Sequence, residues 1–294
     1  MTEGERVRVR SGPESVKVMR VPAWEQYGWL RHGFSRRGGG VSAVYGLREP
    51  GAGEFGGELN LGWTPEDSYE AVKENRRRFV EEVGAGEEMS LVTVRQVHGA
   101  AVKAVREWDG AREGGLGTAE GRAVLEGDGL MTGVAGVLVG VQTADCVPVL
   151  VADVEKRVVA AFHAGWRGTV QRIVEKGILA MQEEFGSRPE DMVAAVGPSI
   201  GICCYRVGEE VRGAFGHEFD YAAVLFRGPS EDLRVDLWEA NRRQLVAAGV
   251  GVGRITVVGE CSGCAMDEAG RRGYFSHRVD KGFTGRMMSA VGVV

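Results

Sequence analysis

Cys146 and His163 are the two side chains in this sequence best placed to act together. Val147 to Ala152 and Val158 to Phe162 are apolar, β-branched runs, and Asp153-Val154-Glu155-Lys156-Arg157 between them is a polar turn. The midpoint of Cys146 and His163 falls in that turn, so an antiparallel hairpin would set thiol and imidazole nearly opposite, with β-carbons about 4.5–5.5 Å apart. Such a pair can share a proton or a metal ion.

His98, in Arg95-Gln96-Val97-His98-Gly99 at the end of a strand expected over Leu91 to Val94, is the third candidate. One thiolate and two imidazoles suit Zn²⁺, and three protein ligands leave a fourth tetrahedral position for water or substrate, as in catalytic zinc sites. Without a metal, Cys146 could be a nucleophile and His163 its base, with Asp145 or another carboxylate orienting the ring. His98 separates the two readings, because a dyad does not need it.

Arg167 stands where the loop after His163 becomes a helix, and its guanidinium and the free N–H groups of Gly168, Thr169 and Val170 could converge on phosphate or a carboxylate. Ser35-Arg36-Arg37 and Ser276-His277-Arg278 are further basic stretches that could reach phosphate or ribose. Asn60, between Leu59 and Leu61, is either a turn-former or a base reader. Cys261-Ser262-Gly263-Cys264 has the spacing of a zinc knuckle or redox pair. Cys203-Cys204 could complete a four-thiolate site with it, but adjacent cysteines are poor partners for a tetrahedron, and buried, unpaired thiols are the default expectation.

The elements that must hold these residues alternate in type. A helix is expected from Pro65 to Val83, capped by Thr64, with Pro65 in its first turn and Asp67 completing a capping-box-like pattern. Gly136 to Val141, Met192 to Val196 and Ile255 to Val258 are apolar strands. A helix after His163 carries Val170, Ile173, Val174, Ile178, Met181 and Phe185 on one face, and Asp236 can cap another reaching Ala248. Arg37 to Gly57 and Asp109 to Gly121 are expected to be long loops. Hairpins mixed with crossover helices imply an α/β or α+β layered protein with a mixed sheet. No linker divides the chain, so a single domain over 1–294 is expected, with 1–20 a poorly ordered or edge-strand extension.

Composition narrows the classes. The 294 residues give interior enough for an enclosed site, and the 44% hydrophobic content is that of an ordinary globular protein. A net charge of −5 argues against general nucleic-acid affinity. The polar start, and the lack of any run approaching the ~20 apolar residues of a membrane span, lead to the expectation of a cytoplasmic protein. Five cysteines are too few and odd in number for a disulfide framework.

Taken in order, His32-Gly33-Phe34-Ser35, Asn60-Leu61-Gly62, Arg95-Gln96-Val97-His98-Gly99, Thr143-Ala144-Asp145-Cys146, His163-Ala164-Gly165-Trp166-Arg167-Gly168, Gly197-Pro198-Ser199-Ile200-Gly201, Phe275-Ser276-His277-Arg278 and Thr284-Gly285-Arg286 resemble the YfiH-like family, also called DUF152 or the laccase-domain family. The resemblance implies a layered α/β fold similar to the catalytic domain of cytotoxic necrotizing factor. It also implies zinc on His98, Cys146 and His163, with copper as a possible substitute. The implied activities are phosphorolysis of adenosine, inosine, guanosine and methylthioadenosine, and deamination of adenosine, so purine nucleosides and phosphate are the expected partners. Catalytic roles are expected for Cys146, His163, Asp145 (as a proton shuttle) and Arg167. Substrate contacts are expected from Arg36, Asn60, Gln96, Arg167, Ser276 and Arg278. The older family name, polyphenol oxidase or laccase, fits poorly: a multicopper oxidase needs about ten histidine ligands, usually in His-x-His pairs, and this chain has five histidines and no such pair. The H-x-E with P-C-x-x-C pattern of nucleobase deaminases is also absent. His277 stands where family members often carry an aromatic residue, which bears on substrate preference. Oligomeric state, monomer or weak dimer, is left open.

Overall fold

The computed structural model describes residues 16–46, 57–106 and 125–294. Residues 47–56 of the expected Arg37 to Gly57 loop and all of the Asp109 to Gly121 loop lie outside them.

Two mixed sheets form the centre. The first comprises β1 (Val18–Met19), β2 (Leu30–Ser35), β15 (Met287–Val293), β8 (Val137–Thr143) and β5 (Ser90–Thr93), in that spatial order. The second runs β14 (Ile255–Val257), β11 (Met192–Val196), β9 (Val147–Asp153), β10 (Val158–Ala164), β7 (Gly129–Thr132) and β6 (Val102–Val105). Small two-stranded ribbons join β3 (Gly38–Gly40) to β4 (Gly57–Glu58) and β12 (Phe226–Arg227) to β13 (Arg234–Val235). β1 is an edge strand of the first sheet, and residues 1–15 of the expected N-terminal extension lie outside the described residues.

Alternate residues of the central strands serve different cores, because both faces of each sheet are covered. Leu150, Ala152, Val159 and Ala161 meet Phe34, Val139, Val141 and Val291 of the first sheet. Val147, Val149, Val151, Ala160 and Phe162 face the other way, onto α3 (Ile173–Phe185), α4 (Glu209–Glu218) and α5 (Leu237–Ala247). Phe79 and Val83 of α1 (Tyr69–Gly84) close the outer face of the first sheet against Leu138, Met288 and Ala290. The result is four layers, helix–sheet–sheet–helix, as the expected layered α/β architecture requires.

Three local readings are corrected. The first helix starts at Tyr69, capped by Ser68, whose hydroxyl accepts from the Ala71 N–H. Thr64, Pro65 and Asp67 do not start it, because the Asp67 carboxylate is drawn into a loop network, accepting from Ser42 Oγ at 2.5 Å and Asn60 Nδ2 at 2.8 Å. The helix after His163 is two pieces, α2 (Trp166–Val170) and α3, separated at Arg172, which is left-handed at φ 60°. In the β9–β10 hairpin the partner of His163 is Pro148. Cys146 is therefore diagonal to His163 rather than opposite. An offset of two residues keeps both on one face, the face toward the first sheet.

Candidate metal centre

The chain passes between the sheets twice near one edge, from β5 to β6 through residues 95–101 and from β8 to β9 through residues 144–146. His98 rides on the first crossing and Cys146 on the second, while His163 sits near the end of β10. Their ligand atoms all lie within 4.8 Å of one another. The two imidazoles meet edge to face, centroids 5.0 Å apart and planes at 77°.

Both crossings are strained where the site needs them. His98 has φ 60° and Asp145 φ 89°, conformations that cost a non-glycine residue about 1–3 kcal/mol. The surrounding hydrogen bonds hold them there. The Gln96 side chain clamps the backbone of Gln142, donating to its carbonyl and accepting from its N–H, both at 2.7 Å. At Asp145 the carbonyl accepts from Ile200 N–H at 2.9 Å. Its carboxylate accepts from Ser262 Oγ, Ser276 Oγ and Arg278 N–H, each at 2.7 Å.

Asp128 organises the rest. Fully buried before β7, its Oδ1 accepts from His98 N–H (3.0 Å) and pairs with His163 Nδ1 (2.8 Å). Its Oδ2 accepts from Gly99 N–H (2.6 Å) and Val97 N–H (3.3 Å). One carboxylate thus folds the strap carrying His98 and orients the His163 ring, with the proton on Nδ1 and Nε2 left to face Cys146. Sequence reading missed this residue; the only signal was an acid between two glycines ahead of an apolar strand.

The electrostatics follow from that packing. Burial opposes ionisation of Cys146, yet the positive His163 ring, with hydrogen bonds from His163 and His98, pulls its thiol well below the ordinary range. Burial likewise disfavours a charged His163 ring, but the Cys146 thiolate and the Asp128 carboxylate push its pKa up. Against its own burial, Asp128 is held below the carboxylate range by His163 and the strap amides. Such a set can hold a metal ion on a preformed thiolate, or act as a Cys–His–Asp triad.

The residues fit a metal by a second observation. A β-carbon at position 165 would lie 3.0 Å from Cys146 Sγ and 3.4 Å from His98 Cδ2, so a larger residue there would crowd those two ligands. At 168 it would meet the Gly99 carbonyl at 2.9 Å, where the strap crosses α2. Zn–N of ~2.0–2.1 Å and Zn–S of ~2.3 Å set tetrahedral donors about 3.3–3.6 Å apart, inside the 4.8 Å within which these ligand atoms lie.

Other expected site residues divide. Arg167 is exposed, stacked on Trp166 at 4.3 Å, and among the described residues has no ion-pair partner. The start of α2 adds little to it, since this helix has five residues and its Thr169 N–H donates to the Gly165 carbonyl. Arg278 lies over Tyr205 and, with Trp166, Arg206, Val207 and Glu210, lines a cleft of about 340 Å³. Arg36 is paired to Glu260 and lies over Tyr274. Asn60 is fully buried and shapes its own loop, bonding to Gly62, Asp67 and Arg286 N–H. Gln96, half-buried, holds Gln142, and buried Ser276 donates to Asp145, so each of these four already has a partner within the protein. Asp145, expected as a proton shuttle, is buried, and its carboxylate already accepts three hydrogen bonds that tie residues 262, 276 and 278 to the β8–β9 crossing.

The four remaining cysteines are not scattered buried thiols. Cys203 and Cys264 are exposed, and the sulfurs of Cys203, Cys204, Cys261 and Cys264 all lie within 4.8 Å of one another.

Comparison with known proteins agrees with this architecture. A protein named purine nucleoside phosphorylase YlmD from Geobacillus stearothermophilus is 38% identical over 274 residues, covering 91% of this chain and 95% of its own. A protein named adenosine deaminase RL5, from an unknown prokaryotic organism, is 41% identical over 177 residues, 59% of this chain and 66% of its own. The crystal structure of YlmD from G. stearothermophilus superposes with a TM-score of 0.78 at 33% identity, covering 97% of this chain and 98% of that one. A family model described as multi-copper polyphenol oxidoreductase laccase matches residues 31–294, and the chain belongs to that family, the YfiH-like or DUF152 proteins.

Proposed function

We propose that the protein is a zinc-dependent purine nucleoside phosphorylase acting on adenosine, inosine, guanosine or methylthioadenosine. The observation that carries this reading is the His98–Cys146–His163 set, with the His163 ring oriented by Asp128; the cleft is lined by other residues, and its Trp166 directly follows Gly165, which packs against Cys146 and His98. The purine nucleoside phosphorylase name of a relative matched over nearly the whole chain supports it.

In the reaction a phosphate oxygen bonds to C1′ of the ribose as the bond from C1′ to the purine nitrogen breaks, and the purine leaves with the bonding electrons. A bound zinc ion supplies Lewis-acid polarisation and lowers the pKa of an attached water. The chain's own residues position and neutralise. Arg167 and Arg278 offer charge to phosphate, and Trp166 and Tyr205 offer flat apolar faces to a purine. Asp128 keeps the His163 Nε2 lone pair directed at the metal position. The copper chemistry in the family's description draws no support from the donors present, since His32, His217 and His277 belong to neither group of clustered ligands among the described residues.

Purified protein given inosine or adenosine with phosphate should release free base and ribose 1-phosphate, and Cys146→Ala should not. Ammonia released from adenosine in phosphate-free buffer would add the deaminase activity named for the second relative. Turnover that survives chelation and His98→Ala but is lost on thiol alkylation would replace zinc chemistry with a metal-free Cys–His–Asp hydrolase. A purine nucleoside enzyme of this kind would work in the cytoplasm.

A further inference from the structure

Cys203 and Cys204 lie in a tight helical turn, with Cys204 and Tyr205 N–H groups donating to the Gly201 carbonyl at 2.9 and 3.0 Å. Consecutive side chains in such a turn diverge by about 100°, not the 180° of a strand, so two adjacent thiols can address one point. The Cys261–Cys264 segment makes a second turn of the same kind, its Cys264 and Ala265 N–H groups donating to the Cys261 carbonyl. A short ladder joins the two turns, Ser199 N–H to the Glu260 carbonyl and Ser262 N–H to the Ser199 carbonyl.

The approach is close by construction. A β-carbon at position 263 would lie 3.0 Å from Cys204 Cβ and 3.2 Å from its sulfur. Cys203 Sγ and Cys264 Sγ are 3.6 Å apart, far from the ~2.05 Å of a disulfide. Zn–S bonds of ~2.3 Å set the sulfurs of a tetrahedron about 3.8 Å apart, close to that spacing. Cys261 Sγ accepts from Gly201 N–H at 3.2 Å, the kind of outer hydrogen bond that supports a thiolate ligand. Arg234 donates to the Cys203 carbonyl, which brings positive charge beside a cluster that would be anionic when loaded.

We propose that Cys203, Cys204, Cys261 and Cys264 form a closed four-thiolate zinc site that ties the 201–205 turn to the 261–265 turn. Each thiol loses its proton to solvent on binding, and no position stays open for substrate. Tyr205 and Arg206 follow directly on this turn, so the metal would also fix one wall of the cleft. The proposal does not depend on the reading of the His98 site.

The test uses the full chain carrying His98→Ala, Cys146→Ser and His163→Ala together, so that only the second cluster remains. It should bind one Co²⁺ per chain with the intense charge-transfer bands of four thiolates, displaced by Zn²⁺; adding Cys203→Ser and Cys264→Ser should abolish binding. A triple variant that takes up no metal, or a spectrum with fewer thiolates, would refute the site. In the unsubstituted chain, zinc should slow alkylation of Cys203, Cys204 and Cys264 together by roughly tenfold or more, read by peptide mass spectrometry. Equal alkylation with and without zinc, or a Cys203–Cys264 disulfide in untreated protein, counts against it.

Discussion

Asp128→Asn tests the organising role given to one buried carboxylate. The amide keeps one acceptor and converts the other oxygen to an NH₂ group. That group must face either Gly99 N–H, now 2.6 Å from Oδ2, or His98 N–H and His163 Nδ1, now 3.0 and 2.8 Å from Oδ1. In either orientation donors oppose donors, and one or two charge-assisted bonds of about 1.5–3 kcal/mol each are lost. Loss of a partner that orients a ligating histidine typically weakens metal affinity or activity about 10–100-fold, equivalent to about 1.4–2.7 kcal/mol. Zinc affinity, measured by competition with a chromophoric chelator, should fall in that range, and kcat/KM for inosine phosphorolysis should fall with it. A variant that melts cooperatively with unchanged far-UV circular dichroism, and binds zinc within twofold of the parent, would show that Asp128 does not set the ligand geometry.

Three further outcomes are expected. His32 is buried, its Nε2 accepting from Val21 N–H at 2.7 Å, and burial with Arg20 nearby lowers its pKa from 6.5 to about 4. The unfolded chain therefore binds the extra proton first, so stability present above pH 6.5 should be lost as pH falls toward 4, by up to about 3 kcal/mol; urea titrations in which His32→Gln shows the same slope would count against this. Asp145→Ala should strand two buried hydroxyls and the Arg278 N–H and destabilise the fold by about 2–4 kcal/mol, whereas Asp145→Asn should keep most phosphorolysis; complete loss of turnover in a folded Asn variant would support the shuttle role instead. A β-carbon at Gly177 of α3 would lie 2.3 Å from Phe162 Cζ, so Gly177→Ala should cost about 1–3 kcal/mol, and an unchanged melting temperature would refute that packing.

The layered fold and the strands β5, β8, β9, β10, β11 and β14 were legible because they are short apolar runs bounded by turns, whereas β2, β6, β7 and β15 were not picked out. The metal-ligand candidates were legible because scarce residue types recur at strand ends. What escaped was set by long-range contacts. Asp67 reads as part of a helix cap until Ser42 and Asn60 claim its carboxylate. Asp128 has no local pattern, and its importance appears only when the 97–99 strap folds onto it. Arg36, Gln96 and Ser276 read as substrate contacts, and Asn60 as a turn-former or a base reader, because their partners, Glu260, Gln142, Asp145 and Arg286, are distant in sequence. The gathering of Cys203, Cys204, Cys261 and Cys264 was not legible either, because it rests on two turns sixty residues apart.

The placement of His98 and Cys146 on the two crossings between sheets has a consequence for folding order. Neither sheet alone contains the three-donor set, and the strap bearing His98 is pinned at Gln96 to one sheet and at Asp128 to the other. Metal uptake through that set would have to wait until the two layers have docked, and the ion would then act as a latch across their seam. The rate of metal capture during refolding would therefore time the docking of one half of the molecule on the other.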